Sequence, residues 1–271
     1  YYLEVFFFFS NDTLLMKNLL FFFGHTVVNL AMYLGVAAAY EVLPQYAGRP
    51  WKTNKVVVIS WNAVLLIVLF AYFHHLYMDF VQPGALQYLG QIASYASAIP
   101  ASVVTLFGAL LLVFHARMRW NLVSILLFLG LAGWAIGGIG AGIDSTISVN
   151  IVLHNTLWVP AHFHTYNLAG LVFLVLAYFE HILLDAGGLP ERPLLQRTAA
   201  IAMVLGAYGL FASFYLAGAY SIPRRFAIYP AELAHGAGYA HWGMLFALLF
   251  LLGFLLYLAD IGKRWWRVMA A

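Results

Sequence analysis

Histidine is the residue type in this chain whose number and placement point to chemistry. The 271 residues hold ten histidines and no cysteine. Neutral imidazole binds copper, zinc and heme iron without carrying a charge into a low-dielectric site. His74 and His75 are adjacent in Phe73-His74-His75-Leu76, and His25 stands in Phe22-Phe23-Gly24-His25-Thr26. Neighbouring positions on a helix point about 100° apart, so two adjacent imidazoles can meet one metal lying between their directions. With His25 from a facing helix they make a three-nitrogen site with an open position, the arrangement that catalysis at copper needs. Gly24 leaves space beside it for a bulky group. His162 and His164, in Trp158-Val159-Pro160-Ala161-His162-Phe163-His164, project about 200° apart on a regular helix. They cannot share one metal there, but they can serve two centres on opposite faces, as two flat hemes flanking one helix would require. A lone membrane histidine is commonly an interhelical hydrogen-bonding group; the grouping argues for ligation.

The elements that must carry these residues are membrane helices. The chain is 64% hydrophobic and 8% charged, against roughly 25% charged residues in a soluble domain. Charged, Gly and Pro punctuation marks off helices at 14–43, 56–80, 91–114, 122–142, 149–184, 198–220 and 237–260. Each exceeds the roughly 20 residues that cross a bilayer, the first and fifth being long. The chain reads as all-α, a single membrane domain over 1–271. Tyr1–Phe9 has neither a basic start nor a small-residue cleavage site and does not read as a signal peptide.

Loop charge orients the bundle. Alternate connections hold Arg49, Lys52, Lys55, Arg117, Arg119, Arg192, Arg197, Lys263, Arg264 and Arg267, whereas the others hold only Lys17, Arg224 and Arg225. The positive-inside rule makes the first side cytoplasmic. At 1.5 Å per residue, His25, His74 and His162 lie roughly 16, 9 and 20 Å below the outer helix ends, in one outer-half layer. Arg224-Arg225 sits just above it, where a guanidinium pair can bind carboxylates through paired hydrogen bonds. The net charge of +3 is spread over short loops, which argues against nucleic acid as a partner. With no cysteine, thiolate metal sites and c-type heme attachment are excluded within the chain.

Gly24-His25, His74-His75, His162-Phe163-His164 and Pro223-Arg224-Arg225 together resemble subunit I of the heme–copper oxidase superfamily, which includes oxygen reductases and nitric oxide reductases. The resemblance runs from Phe21 to about Trp266, and His154-Asn155-Thr156-Leu157-Trp158-Val159-Pro160-Ala161-His162 is most similar to the B-type branch. The seven spans look like the last seven of a twelve-helix subunit. The resemblance implies that His25, His74 and His75 hold copper, that His162 is the axial ligand of a high-spin heme, and that His164 is one axial ligand of a low-spin heme. It implies that Arg224, Arg225 and His154 contact heme propionates. It also implies a bacterial cytoplasmic membrane, an electron-donating subunit or a cytochrome c or copper protein as partner, and early helices, with the other low-spin ligand, on another chain or segment.

The sequence departs from that pattern where the family's oxygen reductases place a tyrosine. Four residues beyond His25 stands Asn29, and six before the histidine pair stands Val68; the lysine of the common proton channel falls at Val104. Reducing two nitric oxide molecules to nitrous oxide and water takes two electrons and two protons and needs no tyrosyl radical. Asn29, one turn from His25 on the same face, is therefore a candidate catalytic residue, and nitric oxide is slightly favoured over oxygen as substrate. Tyr33 and Tyr40 stand roughly 12 and 22 Å beyond His25 along the axis and do not obviously substitute. All ten acids fall near expected helix ends or in loops, which favours copper over iron.

Other residues take blander readings. Trp51, Tyr88, Trp120, Trp265 and Trp266 read as interfacial anchors, and His115 and His181 as solvated near cytoplasmic ends. His235 and His241 lie near the outer end of the last helix. Gly137-Gly138-Ile139-Gly140 lacks the strand–helix setting of a nucleotide site and reads as close helix packing. Two rivals of other classes are a proton transporter using a histidine relay and a cofactor-free structural membrane subunit.

Overall fold

The computed structural model describes residues 6, 12–114, 116–189 and 192–270. His115 and the Tyr1–Phe9 stretch, Phe6 excepted, lie outside them. The described chain is helical, with one isolated β-bridge between Thr156 and Pro223. It runs α1 (Thr13–Ala47), α2 (Lys55–Ala71), a 3-10 turn (Tyr72–Leu76), α3 (Gly84–Phe114), α4 (Leu122–Asp144), α5 (Ile147–Leu153), α6 (Trp158–His164), a π-helical stretch (Thr165–Val172), α7 (Phe173–Asp185), α8 (Pro193–Ala219) and α9 (Ala234–Ala270). Among the described residues, seven stretches are long and apolar enough to cross a membrane, α6 through α7 counting as one. These match the seven expected spans, and the protein is an integral membrane protein.

Local signals set the helix ends. The Asp12 carboxylate accepts from Leu14 and Leu15 N–H, and Asn121 and Ser124 form a capping box at the start of α4, satisfying donors that a helix start leaves free. Gly48 ends α1 in the left-handed region at φ 64°, which glycine adopts without a Cβ clash.

The fifth span differs from its expected range of 149–184. It is broken at His154–Leu157, where Asn155 adopts φ 60°; α5 is a separate short helix, and the crossing stretch starts at Trp158. The seventh span runs past its expected end at 260 to Ala270, carrying Asp260 and Arg264 inside the helix. Hydropathy alone ended it at the first charge.

The helix α4 lies at the centre. Its Leu126, Leu127, Leu131 and Trp134 are buried against Val36, Ala39 and Leu43 of α1 and Phe173 and Leu174 of α7. By contrast, α9 exposes Leu245, Leu248, Leu252 and Leu255, as a lipid-facing helix does. Trp120 and Trp266 are exposed like interfacial anchors. Trp51 is not: its ring stacks on Tyr40 at 4.2 Å.

Candidate metal centre

Three imidazoles from two elements converge. His25 comes from α1, and His74 and His75 from the 3-10 turn that ends the second span. One ring nitrogen of each lies within 4.8 Å of the others. The ring centroids are 5.1 Å apart for His25–His74, 5.4 Å for His25–His75 and 4.2 Å for His74–His75. Adjacent histidines were expected on a regular α-helix; the structure puts them on a tighter 3-10 turn. Two contacts tie this turn and the residues just after it to α1: Tyr72 Oη donates to Asn18 Oδ1 at 3.1 Å, and Lys17 pairs with Asp79.

Hydrogen bonds around the rings leave nitrogens available for a metal. Ser94 Oγ donates to the Gly90 carbonyl at 2.6 Å and accepts from His74 Nδ1–H at 2.9 Å. That leaves the His74 Nε2 lone pair unused, the usual way a neighbouring group orients a metal-binding histidine. Ser94 has no motif around it, and sequence reasoning missed it. His75 stacks on Phe21 at 4.7 Å. His25 Nδ1 is buried and without a partner. An imidazole–metal bond is about 2.0 Å, so one ion can bring three nitrogens this close into contact after small side-chain adjustments. The donor set is all nitrogen and neutral, which suits copper.

A cavity of about 280 Å³ opens beside the cluster and is also lined by Asn29, Tyr33, Trp134, His162 and Tyr166. His162 is buried, and its Nδ1–H donates to the Gly137 carbonyl at 3.1 Å, leaving Nε2 free. The glycine run of α4 thus supplies an acceptor as well as close packing. His164 does not line this cavity, although Phe163 beside it does. A π-helical stretch begins directly after it, at Thr165; such insertions recur at functional sites.

Asn29 lies as expected beside His25: its Nδ2 donates to the His25 carbonyl at 2.7 Å and stands 3.4 Å from His25 Nε2. Tyr33 is the surprise. It lines the same cavity and its Oη donates to Asn29 Oδ1 at 3.3 Å. Axial distance from His25 was the wrong measure, since the long phenol reaches back along the α1 face.

On the side expected to be outer, Arg224 Nη2 donates to Asn155 Oδ1 at 3.0 Å, and the two backbones bond Arg224 N to Asn155 O at 2.9 Å. Arg224 Nε is buried with no partner, so the guanidinium keeps a donor free for a carboxylate. Arg225 is exposed, at φ 69°. Burial and then Arg224 hold the His154 imidazole below its ordinary pKa, with Asp79 acting the other way. His235 and His241 are exposed.

Two cytoplasmic-side expectations need correction. His181 is buried rather than solvated, with Nδ1 3.1 Å from Tyr46 Oη and Nε2 3.5 Å from Asp185 Oδ2. The acids are not all at helix ends or in loops: Glu180 and Asp260 are buried around the Arg264 guanidinium. Neither acid is in the three-histidine group, so the all-nitrogen character of that cluster stands.

The chain is similar to known proteins over most of its length. The family described as cytochrome C and quinol oxidase polypeptide I matches residues 1–255. Cytochrome c oxidase subunit 1 of Thermus thermophilus is 26% identical over 275 residues, taking in 92% of this chain and 48% of that protein. Ubiquinol oxidase subunit 1 of Acetobacter aceti is 26% identical over 176 residues, 61% of this chain and 25% of that protein. A heme–copper terminal oxidase dimer solved by cryo-electron microscopy shares the fold, with a TM-score of 0.77 at 23% identity, over 92% of this chain and 49% of that one. The chain spans half or less of the length of each.

Proposed function

Because the chain belongs to the cytochrome c and quinol oxidase polypeptide I family, we propose that it is the metal-bearing part of a membrane terminal oxidoreductase that reduces a diatomic gas. The observation that carries this reading is the convergence of His25, His74 and His75 on a cavity that His162 also lines. The family implies hemes and copper in general terms. In this reading His25, His74 and His75 hold the copper, His162 binds a high-spin heme, and His164 is one ligand of a low-spin heme. When bound, these groups supply the electrons and the open coordination position that the reduction needs.

The chain's own residues orient and enclose. Ser94 fixes the His74 tautomer, the Gly137 carbonyl fixes that of His162, and Phe21 holds the His75 ring. Leu20, Met32 and Val68 make much of the remaining wall apolar, which suits a small uncharged gas. Arg224, with Arg225 and His154, anchors propionates in the outer half of what we take to be a bacterial cytoplasmic membrane. A desolvated charge-assisted hydrogen bond contributes roughly 1.5–3 kcal/mol. Neutralising Arg224 and Arg225 together should shift heme potentials or lower heme occupancy, read by redox titration and pyridine hemochrome assay. Full occupancy at unchanged potentials would return the pair to a lipid-headgroup role.

The remaining ligand of the low-spin heme and the electron-donating partner, a cytochrome c or a copper protein, lie on another chain or segment. A reduced-minus-oxidised optical spectrum of the intact complex tests the enzyme against both rivals. Heme bands are expected; their absence would favour the histidine-relay transporter or the structural subunit.

Two substrates divide the finer reading. Asn29 against His25, where the family's oxygen reductases have tyrosine, favours nitric oxide: two NO, two electrons and two protons give N2O and H2O. The names of the relatives favour oxygen, as does the phenol of Tyr33 in the cavity. We expect the intact complex, given a matched electron donor, to make nitrous oxide faster than it consumes oxygen. Rapid oxygen reduction with negligible nitrous oxide would decide for the oxidase.

A further inference from the structure

Among the described residues, three that are not glycine have left-handed backbone: Asn155 at φ 60°, Ser221 at 59° and Arg225 at 69°. All three lie in one clasp, where the segment before α6 meets the segment after α8. Such a conformation is costly for a residue with a side chain. It persists only where surrounding contacts enforce it, and it gathers at functional sites.

The enforcing contacts are mostly backbone ones. Thr156 and Pro223 form the antiparallel bridge. Leu157 N–H donates to the Ile222 carbonyl at 2.8 Å, and Arg224 N–H to the Asn155 carbonyl at 2.9 Å. Ser221 N–H donates to the Gly218 carbonyl at 2.9 Å, and Tyr229 Oη to the Pro223 carbonyl at 3.0 Å. Thr156, Leu157 and Ile222 are buried, so the clasp is anchored from within. Asn155 does more than turn the chain there. Its Oδ1 accepts from Arg224 Nη2 at 3.0 Å, so one residue grips Arg224 both by its backbone and by its guanidinium. Two separate attachments leave a long side chain few orientations.

The residue type at 155 suits both tasks. After glycine, asparagine and aspartate enter the left-handed region most readily. Glycine has no side-chain oxygen to offer. Aspartate has one, but it would form an ion pair and cancel much of the charge that Arg224 brings to a carboxylate ligand. The asparagine amide is a neutral acceptor: it directs the guanidinium and leaves its charge available.

We infer that Asn155 is the positioning residue for Arg224, its left-handed turn and its amide oxygen together fixing the guanidinium where it pairs with a heme propionate. The inference rests on the proposed propionate role of Arg224 and gives Asn155 no heme contact of its own.

Redox titration of the hemes in the intact complex is the test, on Arg224→Gln, Asn155→Gly, the two combined, and Asn155→Asp. A fixed positive charge beside a heme favours its reduced form, so Arg224→Gln should lower the potential of the heme it serves. Asn155→Gly keeps the left-handed turn and deletes the amide. At full heme content it should lower the potential of that same heme by part of the Arg224→Gln shift. Added to Arg224→Gln it should change nothing further, because Asn155 acts through Arg224. An unmoved potential in Asn155→Gly would leave the residue a turn former and overturn the inference, as would an equal shift with and without Arg224. Asn155→Asp keeps both the turn and the bond, so it serves even if Asn155→Gly does not assemble. Its carboxylate should lower the same potential, and an unmoved potential there also overturns the inference. No shift in Arg224→Gln itself would instead overturn the propionate reading.

Discussion

Replacing His75 by alanine should strip the copper while leaving the hemes in place. Two imidazoles would remain, His25 and His74, without the third nitrogen that closes the group. Loss of a direct ligand should exceed the roughly 10–100-fold loss in metal affinity typical of changes to supporting groups. Ser94→Ala provides that smaller step. It removes the oxygen 2.9 Å from His74 Nδ1 and frees the ring to turn, so copper affinity should fall within the roughly 10–100-fold range and not vanish. Elemental analysis per heme, with a competing chelator to rank affinities, reads both variants. Gas turnover should disappear in His75→Ala and recover partly with added copper in Ser94→Ala. Full copper content in His75→Ala would remove the metal assignment.

Replacing Arg264 by alanine should destabilise the protein by about 3–5 kcal/mol, the range for breaking a buried charge pair by deleting one partner. Arg264 is 3% exposed, and its partners Glu180 and Asp260 are also buried. Its Nη2 donates to Glu180, its Nε to Asp260 Oδ2 at 2.9 Å and its Nη1 to the Gly188 carbonyl at 2.8 Å. Gln196 Nε2 closes the ring with bonds of 3.1 Å to each acid. The cluster therefore clamps α7, α8, α9 and the segment after α7. Without the guanidinium, two buried carboxylates face each other with only an amide between them, and they must take up protons or bring in water. Thermal unfolding in detergent should show a large drop in midpoint for Arg264→Ala. The triple variant Arg264→Met, Glu180→Gln, Asp260→Asn removes all three charges together and leaves no uncompensated buried charge, the main penalty of the single deletion; it should recover most of the loss. Equal midpoints for Arg264→Ala and the unsubstituted protein would show that the clamp carries no stability. None of the cluster's residues lines the cavity, so heme and copper content should survive wherever the chain folds.

These two sites differ in how far the sequence discloses them. The proposed copper ligands are adjacent or embedded in short motifs, and imidazole in an apolar span already has few uses, so type and spacing narrow the chemistry. Arg264 belongs to a basic cytoplasmic tail by composition, and Glu180 and Asp260 look like helix-end acids. Nothing local marks Glu180 and Arg264, 84 residues apart, as members of one group. Axial distance argues against Tyr33, and no motif singles out Trp134, because lining a cavity is a property of several helices at once.

The sequence by itself determined the seven spans, since a bilayer's thickness sets the length of an apolar run. It set the expectation that His162 and His164 point apart, since helical period converts spacing into angle. Tertiary structure decided the rest: that His25 meets His74 and His75, that Ser94 and the Gly137 carbonyl fix the ring tautomers, that the fifth span breaks at Asn155, and that Arg264 is a buried clamp. The reason is physical. Bilayer crossing and helical period act within one segment and leave their mark in its residues, whereas contact between segments depends on how several helices pack, and no single segment records it.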